Sequence, residues 1–222
     1  MSIEGKLIKY KTEIESQNAV LVAVSKNHPA EAVQSAYNVG QRIFGENLVQ
    51  ELVEKAEILP KDIQWHLIGH LQTNKVKYIA PFITLIHSVD SLKLLKEINK
   101  QALKNQRIID CLLQIYIADE DTKYGLGFDE AIELLRSEEF AELKNIKIRG
   151  LMGMATNAVS DKQVAVEFNE LKVFFDGIKL SFFRKDVDFN ILSMGMSGDY
   201  QIALAEGANM LRIGSSIFGN RK

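Results

Sequence analysis

Short apolar runs rich in valine and isoleucine alternate with longer amphipathic stretches along this chain, and small or polar residues stand at the joints. The amphipathic stretches predict helices, because their apolar positions recur at helical spacing. The apolar runs are continuous instead of alternating, so the strands they predict should be buried on both faces, as parallel sheets require. Eight such strands are predicted, at 19–26, 42–47, 63–69, 84–90, 109–118, 146–154, 189–196 and 210–219.

This repeat predicts an α/β fold, a single TIM (β/α)8 barrel, with an open doubly wound sheet as the alternative. An extra N-terminal helix is predicted over residues 1–18. The last predicted strand ends almost at the final residue, so no helix is expected after it, and the N-terminal helix is expected to cover that gap in the barrel wall. No linker rich in proline, glycine or serine divides the chain, so 1–222 is expected to form one domain.

Composition narrows the range of partners. The 27 basic and 29 acidic residues give a net charge of −2, which provides no electrostatic case for binding nucleic acid or an anionic membrane. The one cysteine, Cys111, excludes an intramolecular disulfide and a cysteine-based metal cluster. The N-terminus lacks a signal-peptide core, and the apolar runs are too short to span a membrane. These features favour a soluble, cytoplasmic protein.

In a barrel of this kind the functional site lies at the C-terminal ends of the strands. Lys26 ends the first predicted strand directly after Ala23, Val24 and Ser25. Apolar surroundings favour the neutral amine, which can form a Schiff base with an aldehyde. The alternative is a lysine whose charged end simply reaches solvent at the barrel mouth.

The ends of the seventh and eighth strands are rich in glycine and serine, in SMGMSGD (193–199) and RIGSS (212–216). Loops at these two places often bind phosphate, and glycines allow backbone N–H groups to approach an oxyanion. Ordinary turn chemistry is the alternative. Arg212 lies inside an apolar run, where burial of a guanidinium requires an acceptor: a structural carboxylate or a ligand's ring nitrogen. An amine, a phosphate site and an arginine for a ring nitrogen together describe a site for pyridoxal 5′-phosphate (PLP).

Motifs in register along nearly the whole chain resemble those of the PLP homeostasis proteins, the YggS/PROSC group. These motifs are VAVSK (22–26), GEN (45–47), VQE (49–51), WHLIGHLQTNK (65–75), HSVD (87–90), TKYG (122–125), GLMGM (150–154), LSMGMSGD (192–199) and RIGSSIFG (212–219). The resemblance implies a fold type III barrel, similar to the N-terminal domain of alanine racemases. It also implies a protein that binds PLP in vitamin B6 homeostasis without robust turnover.

The resemblance assigns a role to eight residues of this sequence. Lys26 matches the Schiff-base lysine that holds PLP covalently, and Arg212 matches the arginine that faces the pyridine nitrogen. Ser197, Gly214 and Ser215 match the phosphate-binding positions, where Met196 offers a backbone contact. Asn47 matches a residue that lines the cofactor pocket, and Lys123 matches a second lysine near the pocket. Ser215 stands where many members have threonine, which keeps the hydroxyl group.

Two functions from different classes follow. The first is a monomeric carrier that holds PLP as an aldimine on Lys26 and releases it by transimination to PLP-dependent apo-enzymes. The second is a PLP-dependent amino-acid racemase, which requires a second domain for which the sequence after residue 219 leaves no room. A Schiff-base aldolase without PLP is a third possibility, but it gives Arg212 no role. A metal site is not expected, since the segment with His66 and His70 is predicted as a strand and its end, and Leu67 stands where a zinc helix has glutamate. His87 is expected to be a hydrogen-bonded lining residue.

Overall fold

Eight parallel strands close into a barrel in sequence order, β1 to β8, which confirms the predicted TIM-type fold. The computed structural model describes residues 2–118, 124–156 and 160–219. The strands are β1 Val20–Val24, β2 Ile43–Glu46, β3 Gln64–Leu67, β4 Leu85–Val89, β5 Ile109–Ile115, β6 Ile146–Gly153, β7 Ile191–Ser193 and β8 Met210–Ile213.

Helices follow the strands and form the outer layer. They are α1 Ile3–Glu15, α2 Ala30–Asn38, α3 Val49–Ile58, α4 Val76–Ile79, α5 Leu92–Lys104, α6 Phe128–Arg136, α7 Glu138–Ala141, α8 Asp161–Phe182, α9 Tyr200–Ala205 and α10 Ser215–Phe218. A 3-10 turn, Thr73–Lys75, precedes α4. In the described part of the chain, no helix has the length and apolar character needed to cross a membrane.

Two apolar layers hold the barrel together. The larger one fills the space between strands and helices, where Phe44, Phe168 and Phe189 are fully buried. The smaller one lies inside the barrel and consists of Val22, Leu85, Leu112, Met152 and Met210. The strands are therefore covered on both faces, which is why their sequences are continuously apolar.

The N-terminal helix α1 packs on the barrel wall, as predicted. Its apolar side chains Leu7 and Ile14 are fully buried, and the helix contacts β1, α2 and α10. At its C-terminal half, the Tyr200 hydroxyl donates a 2.9 Å hydrogen bond to Glu13. This helix therefore covers the wall where the first and last strands meet.

The expectation that no helix follows β8 was wrong. The strand ends at Ile213, and the short helix α10 follows at once. The chain leaves the sheet because the Gly214 N–H is bound by the Ser197 hydroxyl, while the Gly214 carbonyl accepts from Ile217 and Phe218. The amphipathic stretch over 128–140, which its spacing predicts as a single helix, forms the two helices α6 and α7. The extended backbone at Ser137 ends α6, and its hydroxyl caps α7 by accepting from Phe140.

The barrel has a seam between β7 and β8, where one residue pair, Ser193 with Met210, forms the recorded strand register. Two further backbone hydrogen bonds cross this edge, from the Asn209 N–H to the Leu192 carbonyl at 3.2 Å and from the Arg212 N–H to the Gly195 carbonyl at 3.1 Å, and side chains add to them. The Asn209 amide accepts from the Leu192 N–H at 2.8 Å and donates to the Asn190 carbonyl at 2.6 Å. The Arg212 guanidinium donates to the Ser193 carbonyl at 2.8 Å.

Candidate functional site

A cavity of about 540 Å³ opens at the carboxyl ends of the strands. Seven of the eight predicted site residues line it: Lys26, Asn47, Met196, Ser197, Arg212, Gly214 and Ser215. The eighth, Lys123, lies outside the described residues. The cavity wall also contains residues to which the sequence analysis gave no cofactor-binding role, namely Val24, His28, Ile68, Met154, Gly198 and Gly219.

Lys26 lies two residues after the end of β1 and is half-buried in the cavity wall. The next residue, Asn27, has a φ of +62°, a conformation that asparagine tolerates better than most residues. Its N–H donates a 2.7 Å hydrogen bond to the Glu51 carboxylate on α3. The strand end that carries the lysine is thus fixed by a specific turn.

A buried ion-pair network supports the same strand end. Lys55 Nζ lies 2.7 Å from Glu46 Oε1 and 2.8 Å from both Glu51 Oε1 and the Ser25 carbonyl oxygen. The Ser25 hydroxyl donates to Glu46 at 2.6 Å. Burial raises the pKa of Glu46, while the charge of Lys55 opposes that shift. The network binds the residue before Lys26 to β2 and α3.

This network was not predicted, although GEN and VQE belong to the motifs quoted above. Glu51 and Lys55 are four residues apart, a spacing that places them on one face of α3. The contribution of Glu46 depends on the closure of the barrel, which brings β2 against the end of β1. The helical spacing was therefore a usable signal for half of the network.

The loops after β7 and β8 meet at the cavity. The Ser197 hydroxyl accepts a 3.3 Å hydrogen bond from the Gly214 N–H. Asp199 accepts from the Met196 N–H and so closes the turn after β7. A Cβ atom placed on Gly198 would meet nothing within 4 Å. Serine hydroxyls and backbone groups with open space in front of them suit a bound oxyanion.

Arg212 is 4% exposed, and its charge meets neutral oxygens. Nη1 donates to the Ser193 carbonyl at 2.8 Å and to the Ser193 hydroxyl at 2.7 Å, and Nη2 donates to the Gly153 carbonyl at 3.0 Å. Burial lowers the pKa of Arg212 to about 10, which leaves it charged at neutral pH.

A guanidinium has five N–H donors. Among the described residues, no hydrogen-bond acceptor is found for the Nε–H and for the second Nη2–H of Arg212, and the negative charge of Asp199 acts on the guanidinium without a salt bridge. Of the two acceptors that the sequence left open, the structural carboxylate is thus not observed in this part of the chain. A ligand atom in the cavity would meet the remaining donors.

The other candidate residues are placed away from the cavity wall. His66 and His87 are buried and hydrogen-bonded to each other at 2.9 Å, and His87 also bonds Ser193 at 3.0 Å. Cys111 is buried, and burial raises the pKa of its thiol. Across the described ranges, no group of three or more histidine, cysteine, aspartate or glutamate side chains is arranged to hold a metal ion.

The fold and site define a class of protein: residues 3–222 match the alanine racemase N-terminal domain. The chain is 40% identical over 205 residues to a pyridoxal phosphate homeostasis protein of Aquifex aeolicus, a match that covers 92% of this chain and 88% of the relative. It is 38% identical over 210 residues to the protein of that name in Escherichia coli strain K12, covering 92% and 87%. The chain belongs to the family of pyridoxal phosphate homeostasis proteins. These relatives are named for homeostasis and not for a catalysed reaction.

Solved structures agree with this assignment. PipY of Synechococcus elongatus PCC7942 without PLP superposes with a TM-score of 0.90 at 34% identity, covering 98% of this chain and 100% of that one. The same protein with PLP bound gives a TM-score of 0.87 at 33% identity, covering 98% and 100%. Alanine racemase of Clostridium difficile 630 gives a TM-score of 0.72 at 17% identity and shares the fold, covering 97% of this chain and 60% of the racemase.

Proposed function

We propose that this protein is a single-domain carrier of PLP, which it holds covalently at Lys26 and releases by exchange with another amine. The observation that carries the proposal is the environment of the Arg212 guanidinium. Its buried charge meets neutral oxygens, and it lines the same cavity as Lys26 and the two serine-containing loops. The PLP-bound structure of PipY and the names of the relatives support the same ligand.

The residues of the cavity fit the three functional groups of PLP. When bound, PLP supplies an aldehyde that condenses with an amine. Lys26 offers that amine, and the N–H donors of Arg212 that no described residue binds offer a partner for the pyridine nitrogen. Ser197, Gly214 and Ser215 offer hydroxyl and backbone donors for the phosphate.

Arg212 also explains why the site suits storage better than catalysis. A permanently charged donor opposite the pyridine nitrogen favours the unprotonated nitrogen. The ring is then a weaker electron sink than it would be beside a carboxylate. The half-buried position of Lys26 at the open mouth gives an incoming amine access to the bond that must be exchanged. Lys123, or an amine of an acceptor apo-enzyme, would be that incoming amine.

The test is borohydride reduction of the protein after incubation with PLP, followed by peptide mapping. We expect one pyridoxyl adduct, on Lys26, and its loss in Lys26→Ala. Lys75→Ala, at a lysine outside the cavity wall, is the matched control and should keep the adduct. Arg212→Met should weaken PLP binding about 10- to 100-fold, as expected for loss of a charged hydrogen bond. Adducts spread over surface lysines, or no binding, would overturn the proposal.

A turnover assay separates the carrier from a racemase. The PLP-loaded protein is incubated with L-alanine, and formation of the D-isomer is followed against a true alanine racemase. We expect no rate above that of free PLP. Sustained turnover that depends on Lys26 would replace the carrier function with an enzymatic one.

A further inference from the structure

A chain of buried polar side chains crosses the interior of the barrel behind Arg212. The Ser193 hydroxyl lies 3.0 Å from His87 Nδ1, and His87 Nε2 lies 2.9 Å from His66 Nδ1. Ser193 and His87 are fully buried, and His66 is 3% exposed. These residues come from β7, β4 and β3, so strands on different sides of the barrel contribute to one chain.

This chain forms a polar layer between the apolar interior and the cavity. His87 lies two residues beyond Leu85 on β4, and Arg212 lies two residues beyond Met210 on β8. Leu85 and Met210 belong to the apolar cluster inside the barrel. Side chains two residues apart on a strand share a face. His87 and Arg212 therefore lie on the same face as Leu85 and Met210 but nearer the mouth of the barrel. Polar groups at this depth cost free energy unless they are hydrogen-bonded.

The hydrogen bonds of Ser193 determine the donor-to-acceptor direction along this row of polar side chains. Arg212 Nη1 has no lone pair to accept a proton, so it donates to Ser193 Oγ at 2.7 Å. Within the described residues, His87 is the other recorded partner of that hydroxyl. A buried hydroxyl proton without an acceptor costs free energy, so we assign the serine proton to the hydrogen bond with His87 Nδ1. His87 must then carry its proton on Nε2 and donate it to His66 Nδ1, which leaves the proton of His66 on its own Nε2.

Both histidines are neutral in this arrangement. Burial lowers the pKa of His66 to about 3. Burial lowers the pKa of His87 well below its usual value, and the positive charge of Arg212, together with any proton bound at His66, acts in the same direction. A protonated His87 would place a second positive charge behind Arg212 and would lose the lone pair that accepts the serine proton. The direction deduced from Ser193 and the electrostatics of the barrel interior agree.

We propose that Ser193, His87 and His66 are positioning residues for Arg212. The histidine pair draws the serine proton away from the guanidinium, so that Ser193 Oγ presents its lone pairs to Nη1. Together with the Ser193 and Gly153 carbonyls, the Ser193 hydroxyl fixes the guanidinium so that the donors not bound by other described residues serve the cavity. The ligand class this selects is an aromatic ring with an unprotonated ring nitrogen. That last step rests on the proposed function, whereas the hydrogen-bond direction does not.

The first experiment uses the protein without added ligand. Long-range ¹H–¹⁵N NMR of ¹⁵N-histidine-labelled protein distinguishes the two neutral tautomers and the cation. We expect His66 and His87 to show the neutral Nε2–H pattern from pH 8 to pH 5, assigned by loss of each signal in His66→Asn and His87→Asn. A cationic form, or an Nδ1–H tautomer at His87, would overturn the proposed direction of the chain.

The second experiment compares two variants of His87. Asparagine places an oxygen near the Nδ1 position and can still accept from Ser193, whereas leucine cannot. We expect His87→Leu to weaken PLP binding about five- to tenfold, the loss expected for one buried hydrogen bond, and His87→Asn to change it less than about twofold. Ser193→Ala and Ser193→Thr form a second pair with the same contrast, should a His87 variant fail to fold.

The guanidinium N–H signals of Arg212 provide a readout that needs no PLP. We expect them to be slowly exchanging and resolved in the wild type and in His87→Asn, and broadened in His87→Leu. Equal behaviour of the asparagine and leucine variants in folded protein would show that His87 only fills space, and would overturn the positioning role. If the wild type binds no PLP, the proposed function fails, but the tautomer and guanidinium signals still decide the positioning role.

Discussion

The buried histidine pair should make the protein sensitive to acid. In the unfolded chain the imidazole of His66 binds a proton below about pH 6.5, whereas in the folded protein burial lowers its pKa to about 3. The unfolded state therefore binds more protons in this range. The stability that neutral His66 contributes is fully present above pH 6.5 and is lost as the pH falls toward 3.

The size of the effect follows from the two pKa values. For one group that titrates at 6.5 in the unfolded chain and at about 3 in the folded protein, linkage gives a loss of about 2 kcal/mol in the free energy of unfolding between pH 7 and pH 5. His87 adds to the loss in the same direction, because its pKa is also lowered by burial. The carboxylates and other groups are common to the wild type and a His66 variant, so their difference isolates His66.

The assay is urea unfolding followed by circular dichroism at pH 7, 6 and 5. His66→Asn keeps an acceptor for His87 but does not titrate, so its loss of stability from pH 7 to pH 5 should be smaller than that of the wild type by about 2 kcal/mol. His70→Asn, at an exposed histidine, controls for the loss of an imidazole. Parallel pH profiles for the wild type and His66→Asn would refute the reasoning.

Two further predictions concern stability at neutral pH. Lys55→Met leaves the Glu46 carboxylate buried without its cation at 2.7 Å and should destabilise the protein by about 3–5 kcal/mol in urea unfolding. Adding Glu46→Gln to that variant should recover part of the loss, and no recovery would argue against the ion pair as the cause. Gly150→Ala should destabilise strongly, because φ is +152° and the new Cβ would lie 1.8 Å from the Ile191 carbonyl oxygen. Gly177→Ala on α8 meets nothing within 4 Å and should stabilise by about 0.5–1 kcal/mol, so equal effects of the two alanines would contradict this explanation.

The barrel and much of its cavity wall could be predicted from sequence because their signals are local. Each strand is a continuous apolar run, and a polar residue such as Lys26 at the end of a run can be assigned to the barrel mouth. Arg212 stood out because a guanidinium within an apolar run demands an acceptor. The helix after β8 was missed because the apolar residues Ile217 and Phe218 were assigned to the strand, and the turn there depends on Ser197 from another loop.

The supporting interactions could not be predicted in the same way, because their partners meet only when the barrel closes. His66 and His87 are 21 positions apart, and Ser193 is 106 positions from His87. Each alone looks like an ordinary polar residue in a strand. The Glu46–Lys55 pair likewise joins a strand to a helix across the end of β1. Such pairings depend on the register of the strands and the curvature of the barrel, and a single sequence determines neither by a local pattern.

The seam between β7 and β8 has a consequence for local opening of the native protein. Because β7 and β8 share one registered residue pair and two further backbone hydrogen bonds, the side-chain hydrogen bonds of Asn209 and Arg212 make up a large part of the connection at this edge. Hydrogen exchange should therefore begin along this edge before the rest of the sheet opens. A ligand that engages Arg212 would also strengthen this connection, so loading of the cavity should slow exchange at β7 and β8 in particular. Arg212 would thus contribute both to ligand binding in the cavity and to the order in which the strands of the barrel open.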